Sequence, residues 1–349
     1  MPLITGTANS MSDLLTALRS ACTSNGWTLS GSVLHKDGCY ARLQVETGAV
    51  PSTRPAIGTR EYLSVTAGNG IDGSNNLTDA AGISASVGPL ISGSNSSDLA
   101  YVDWSFPVTY HIHVNDTPDE VWAAVQYNGT YFQHVAFGKS PAPGNPGTGN
   151  WFFATLGSLA YSNGNHIYRS ANATAYKADK VGVGAFQEGY VIPQPFWIEN
   201  NNGNTTDTAG VGLMNYAFHS LHGSTGAAAW SATGQGFTSQ LQPGSNGGVA
   251  AYPTVYDVYQ KQPNAWNNES ILVQCQLMKR RPSDFTSLVG DLRHFRFIRI
   301  DYLEALDVID KSPDLWRVYP CYAKSTASPS TASGNNSSGC HGIAVRYDA

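Results

Sequence analysis

The chain has 349 residues (37.2 kDa), 41% of them hydrophobic, and a formal net charge of -5. Only 13% are charged, about half the usual share, which argues against the Lys/Glu-rich coat of a small cytosolic enzyme and against a strongly basic nucleic-acid binder. Gly, Ser, Thr and Asn supply the polarity instead, and eight Trp with 18 Tyr suit surfaces that are apolar on one side and wet on the other.

The N-terminal stretch MPLITGTANSMSDLL lacks a basic segment followed by an apolar one, so no secretory signal is expected and the chain is read as folding in the cytosol. No run of 18 apolar residues suggests a transmembrane helix. Residues 10–24 predict a helix: Ser10 and Asp13 have capping-box spacing, and Met11, Leu14, Leu15, Leu18 and Cys22 trace one apolar stripe. Asn25-Gly26 stops it. Two strands, Trp27–His35 and Cys39–Val45, are predicted around the turn signal Asp37-Gly38.

From Phe106 onward the period is two. Val108, Tyr110, Ile112 and Val114 share one face of a strand and Thr109, His111 and His113 the other. A turn at 115–120, a strand over 121–127, the hairpin signal Asn128-Gly129 and a third strand over 130–137 complete an antiparallel meander. Such a meander needs a second surface for its apolar face. Then YFQHVAFGK runs into a Gly/Pro loop that Trp151 anchors.

Between 138 and 265 regular signals thin out. Short strands are expected at 182–192 and 211–219, separated by Gly/Asn/Ser stretches at 142–150, 200–210 and 243–249. From 271 strand-like segments return as ILVQCQLMKR, HFRFIRID, LWRVYPCY and HGIAVRYDA, with a Ser/Thr/Asn-rich loop at 324–339. The expected fold class is α+β and β-dominated. A small helix-plus-antiparallel-sheet unit (1–105) is followed by a larger β-rich unit with long loops (106–349).

Charge is unevenly placed. Glu61 to Gly138 contains eight acidic residues, among them Asp116 and Asp119, and no Lys or Arg. Lys279 to Arg299 contains six basic residues, among them Arg293, Arg296 and Arg299, against Asp284 and Asp291. Such asymmetry can draw complementary surfaces together, between domains or between copies. The basic segment alternates with Phe295, Phe297, Ile298 and Ile300, which favours a partly buried strand over a nucleic-acid patch.

Catalytic constellations are sparse. Walker A, HExxH, GxSxG and zinc-type Cys/His spacings are absent from the sequence, and the glycines of 138–149 lack the strand–GxGxxG–helix frame of a phosphate cradle. His111 with His113, and His219 with His222, could each share a face but bring no third ligand, so they read as surface or interface histidines. His134 lacks an orienting group and a nucleophile in view. No catalytic, cofactor-binding or metal-binding residue is assigned. The five Cys are expected as free, partly buried thiols, with a Cys321–Cys340 bridge left open.

The helix MSDLLTALRSACTSNGWTL, the meander VWAAVQYNGTYFQHVAFGK, the later HFRFIRID and LWRVYPCY and the closing GIAVRYD together resemble a group of tailed-bacteriophage virion proteins of the tail, baseplate or neck. In that family a glycine-containing loop and an aromatic follow YFQHVAFGK; here Gly138, Lys139, Gly147, Gly149 and Trp151 take those places. The resemblance implies a non-enzymatic, multi-copy building block located in the virion. Its partners would be copies of itself and other virion proteins, with no nucleic acid, membrane or cofactor. Expected interface residues are Trp151, Asp116, Asp119, Arg293, Arg296 and Arg299. Two alternatives remain: a receptor- or glycan-binding tail component stacking sugars on Trp197, Trp230 and Trp266, and a polysaccharide hydrolase using Asp119/Glu120.

Overall fold

The computed structural model describes residues 2–48, 60–80, 84–88, 104–140, 148–157, 196–198, 216–220, 231–234, 269–280, 286–300, 302–321, 323–324 and 341–348. The first strand, β1 (Leu3–Ala8), precedes the helix α1 (Met11–Thr23). The chain continues through β2 (Thr28–Ser30), β3 (Val33–Lys36), β4 (Cys39–Gly48), β5 (Arg60–Gly68), β6 (Gly70–Ile71), β7 (Leu77–Thr78) and β8 (Ala85–Val87). Next come β9 (Val108–Asn115), β10 (Glu120–Tyr127), β11 (Tyr131–Lys139), β12 (Asn150–Ala154) and β13 (Leu156–Gly157). Three short strands follow, β14 (Phe196–Ile198), β15 (Tyr216–Ser220) and β16 (Ser231–Gly234). The last group is β17 (Val273–Arg280), β18 (Thr286–Arg299), β19 (Val308–Lys311), β20 (Asp314–Pro320) and β21 (His341–Tyr347). The fold is α+β and β-dominated, and among the described residues it has one helix, too short to cross a membrane.

Local chemistry explains the N-terminal unit. The Ser10 hydroxyl accepts the Asp13 N–H at 3.0 Å, and the Asp13 carboxylate accepts the Asn9 N–H at 3.1 Å. These bonds satisfy donors that a helix start otherwise leaves free. Met11, Leu14, Leu18, Ala21 and Cys22 are the buried stripe. The strand expected over Trp27–His35 is two strands, β2 and β3, because the chain turns at Gly31 (φ 62) and pairs with itself. Asp37 and Gly38 both take left-handed φ (48 and 81) and close β3 onto β4.

Three larger sheets are stacked. The central one has the order β1-β9-β10-β11-β12-β14-β16-β15; the others are β13-β8-β5-β4-β3-β2 and β17-β18-β21-β20-β19. Register places Ile112, Ala123 and Val135 on one face of the central sheet and His113, Trp122 and Ala136 on the other. The first face packs on α1 and the six-stranded sheet, where Trp27 meets Phe137 edge-on at 5.3 Å. The second packs on the five-stranded sheet, where Trp122 stacks on Phe295 at 4.5 Å. With both faces covered, β11 buries seven consecutive residues, Phe132 to Gly138.

The two units expected at 1–105 and 106–349 exchange strands. β1 lies in the central sheet against β9, with Leu3 opposite His113, and β13 closes the edge of the six-stranded sheet against β8. Segments 182–192, 200–210, 243–249 and 325–339 lie outside the described residues, and the strand expected at 211–219 is described only within β15.

Candidate functional site

The longest strand, β18, does not stay in its sheet. Phe295–Arg299 pair with β21 on one side, while β17 runs along the other. Beyond Phe295, residues 286–292 pair only with 275–280 among the described residues, although β17 also runs close to β16. The result is a hairpin whose distal half has left the five-stranded sheet.

A bulge marks the departure point. On β17, Gln274 pairs with Arg296 and the adjacent Cys275 with Leu292, so Arg293, His294 and Phe295 have no partner residue on β17. A bulge leaves backbone groups without ladder bonds and bends the strand. Here side chains take them. The Glu120 carboxylate, from the start of β10, accepts the N–H of Arg293 at 3.0 Å and of His294 at 2.9 Å. The Arg296 Nη1 donates to the carbonyls of Leu292, Arg293 and Phe295 at 3.0, 2.9 and 2.7 Å. Its guanidinium also lies over the Trp316 ring of β20, 5.0 Å from the centroid. Finally, the His294 Nε2–H donates to the Asp116 carbonyl at 3.1 Å.

The acidic turn that supplies Glu120 is itself tied to the N-terminal unit. Lys36, beside the β3–β4 turn, forms ion pairs with Asp116 and, at 2.9 Å, with Asp119. Partial burial pulls the Lys36 ammonium down, but the hydrogen bonds to both carboxylates outweigh it and leave it above its ordinary value. Gly138 lets the turn close. A Cβ there would lie 2.6 Å from the Asp119 carbonyl oxygen and 2.9 Å from the Trp151 indole.

Between the central and five-stranded sheets lies a layer of neutral histidines. The Trp122 Nε1–H donates to His134 Nδ1 at 3.3 Å and His134 Nε2–H to the Pro320 carbonyl at 3.0 Å, so both ring nitrogens are engaged. His113 Nε2 hydrogen-bonds the Tyr319 hydroxyl at 2.7 Å. Desolvation pushes His134 and His111 down to about 4 and His113 to about 3, with Arg317 adding to the effect on His111. The rings of His111 and His113 are packed structure within one chain, not the surface or interface groups expected from the sequence, and His134 is buried beside them. Among the described residues no three His, Cys, Asp or Glu side chains are placed to hold a metal ion.

The expected interface residues fall in three settings. Trp151 is 1% exposed in β12, its ring against Gly138. Asp116, Asp119 and Arg296 make the contacts within the chain given above; Asp116 and Arg293 remain exposed, and Arg299 is half-buried beside β21. Asp119 and Glu120, weighed as an acid pair, are turned to an ion pair and a backbone clamp. Trp197 falls in β14 and His219 in β15, whereas Trp230, Trp266 and His222 lie outside the described residues. Cys22 and Cys39 are buried free thiols, raised above their ordinary value by desolvation. Cys321 is buried, and Cys340 lies outside the described residues.

The bulge and its clamp are not visible as a motif. The nearest signal is the turn sequence Arg281-Pro282-Ser283-Asp284 between two apolar-alternating runs, which suggests a hairpin without revealing its length. No protein-family model matches this chain, and no curated protein matches it in sequence.

Proposed function

We propose that this chain is a structural component of a tailed-phage particle, in tail, baseplate or neck, that acts by multi-copy assembly. The phage assignment rests on the sequence resemblance. The observation that favours assembly is the β17–β18 hairpin. No third strand pairs with its distal half among the described residues, although β17 runs close to β16. Two-stranded hairpins are marginal alone, and open strand edges are templates for pairing with another chain. The occupant proposed is a second copy. Lys279, Arg280 and Arg293 belong to the hairpin, and Glu61, Asp72 and Asp116 stay exposed in the segment that has no Lys or Arg.

Sedimentation and negative-stain imaging of purified full-length protein test the reading. A variant that joins Cys275 to Leu292 through an Asn-Gly turn removes the distal hairpin at its observed register. The full chain should form a discrete oligomer and the shortened chain should sediment as a monomer. Equal masses for the two, or a full chain that stays monomeric at high concentration, would overturn it.

A further inference from the structure

We infer that Glu120 and Arg296 form a two-sided pin that fixes the direction in which the β17–β18 hairpin departs from the five-stranded sheet. This inference concerns the hairpin proposed above as the assembly element, and rests on that reading for its functional meaning.

The argument is an account of backbone groups. A strand that bulges by three residues has donors and acceptors that β17 does not take, and β21 reaches only Phe295 of the three, which leaves the groups of Arg293 and His294 to other partners. In this protein they are held from both sides. One carboxylate takes the N–H groups of Arg293 and His294, and one guanidinium nitrogen takes the carbonyls of residues 292, 293 and 295. Both pins are side chains of opposite charge to the dipole end they hold, which makes each bond stronger than a neutral one. Glu120 is 4% exposed and His294 3% exposed, so water competes little for these bonds.

Each pin is braced in turn. Glu120 begins β10, where Gly138 and Asn115 flank it in register. Its turn is held by the Lys36 ion pairs and by the His294 ring on the Asp116 carbonyl. Arg296 is backed by the Trp316 ring. The hairpin's direction is therefore set by all three sheets together: Lys36 from the six-stranded sheet, Glu120 from the central one, Arg296 and Trp316 from the five-stranded one. A hairpin held this way meets a partner already oriented, which lowers the ordering cost of assembly.

Hydrogen exchange resolved to residues 286–297, read beside sedimentation, tests this on the full chain. Glu120→Gln keeps the size and one acceptor oxygen but turns an NH2 toward a backbone N–H; Glu120→Ala removes both acceptors. The Arg293 and His294 amides should exchange about tenfold faster in Glu120→Gln and faster still in Glu120→Ala. The oligomer should dissociate at lower dilution, with α1 and β9 protection unchanged. Unchanged exchange in both Glu120 variants would overturn the pin. So would faster exchange with an oligomer as stable as wild type when removing the distal hairpin does dissociate it. If removing the hairpin leaves the oligomer intact, the assembly reading falls instead, and exchange at residues 293 and 294 alone decides the pin.

Discussion

Single polar residues join the layers of this protein, several of them by taking over backbone groups that no strand reaches. Gln133 is the clearest case. Its side-chain carbonyl accepts the Gly88 N–H at 2.8 Å and its amide donates to the Gly88 carbonyl at 2.9 Å. The side chain thus acts as one residue of an extra strand, tying β11 to the end of β8. Gln133→Leu keeps the volume and leaves both Gly88 groups buried without partners. Unpaired buried polar groups cost about 1–3 kcal/mol, so its urea midpoint should fall by an amount equivalent to roughly 2 kcal/mol at unchanged slope. A wild-type midpoint would mean that the backbone at Gly88 finds another partner. None of this was legible in sequence. Gln133 and Gly88 are 45 positions apart, Lys36 and Asp116 80 apart, and Glu120 and His294 174 apart. A short polar residue carries no mark of which distant backbone it will hold.

Helices and strands were more readable where a local rule decides them. The α1 stripe and cap, the Asp37-Gly38 and Asn128-Gly129 turns, and the β9–β10–β11 meander follow from spacing and turn chemistry alone. The alternation in β9 was also right, but its meaning was not. The histidines of its second face read as surface or interface groups, whereas the five-stranded sheet covers that face and buries them. β1 escaped notice because LITGTA is short and its partner β9 lies a hundred residues away in sequence. The start of the loop after YFQHVAFGK illustrates both outcomes. Trp151 does anchor it, and the stem is clasped by a residue that no pattern singled out: the Asn150 amide donates to the carbonyls of Gly38 at 3.1 Å and Gly68 at 2.9 Å, across two turns of the six-stranded sheet. Asn150→Ala should cost about 1–3 kcal/mol for the two lost bonds. Exchange should rise at Asp37–Cys39 and Gly68–Asn69, while α1 keeps its protection. Loss of α1 protection as well would show that the clasp is not local.

The stacking of three sheets has a consequence that belongs to the whole molecule: its stability should depend on pH through histidines that carry no charge when folded. His111, His134 and His294 lie at about 4 and His113 at about 3, each held down first by desolvation. Arg317 adds to this beside His111 and His113, and Arg346 and Arg296 beside His294. An unfolded chain titrates its histidines near 6.5. Between about 6.5 and 4 the unfolded state therefore binds more protons than the folded one, and stability falls as pH falls. The contribution is complete above 6.5 and is lost progressively down to the folded values. At pH 5 each buried ring should cost roughly 1–2 kcal/mol relative to pH 7, so four together rival the whole stability of an ordinary domain. Glu46 does not blur this window. Partial burial raises it, but hydrogen bonds from Ser64, Gln44 and Tyr62 outweigh that and hold it below the usual carboxylate range, so its loss comes at lower pH. Thermal unfolding between pH 7 and pH 5 should show a steep fall in midpoint. His134→Gln, with one titrating ring fewer, should start lower and fall less steeply. Parallel slopes for the two proteins would mean that His134 takes up its proton while folded, and that the layer between the central and five-stranded sheets admits water.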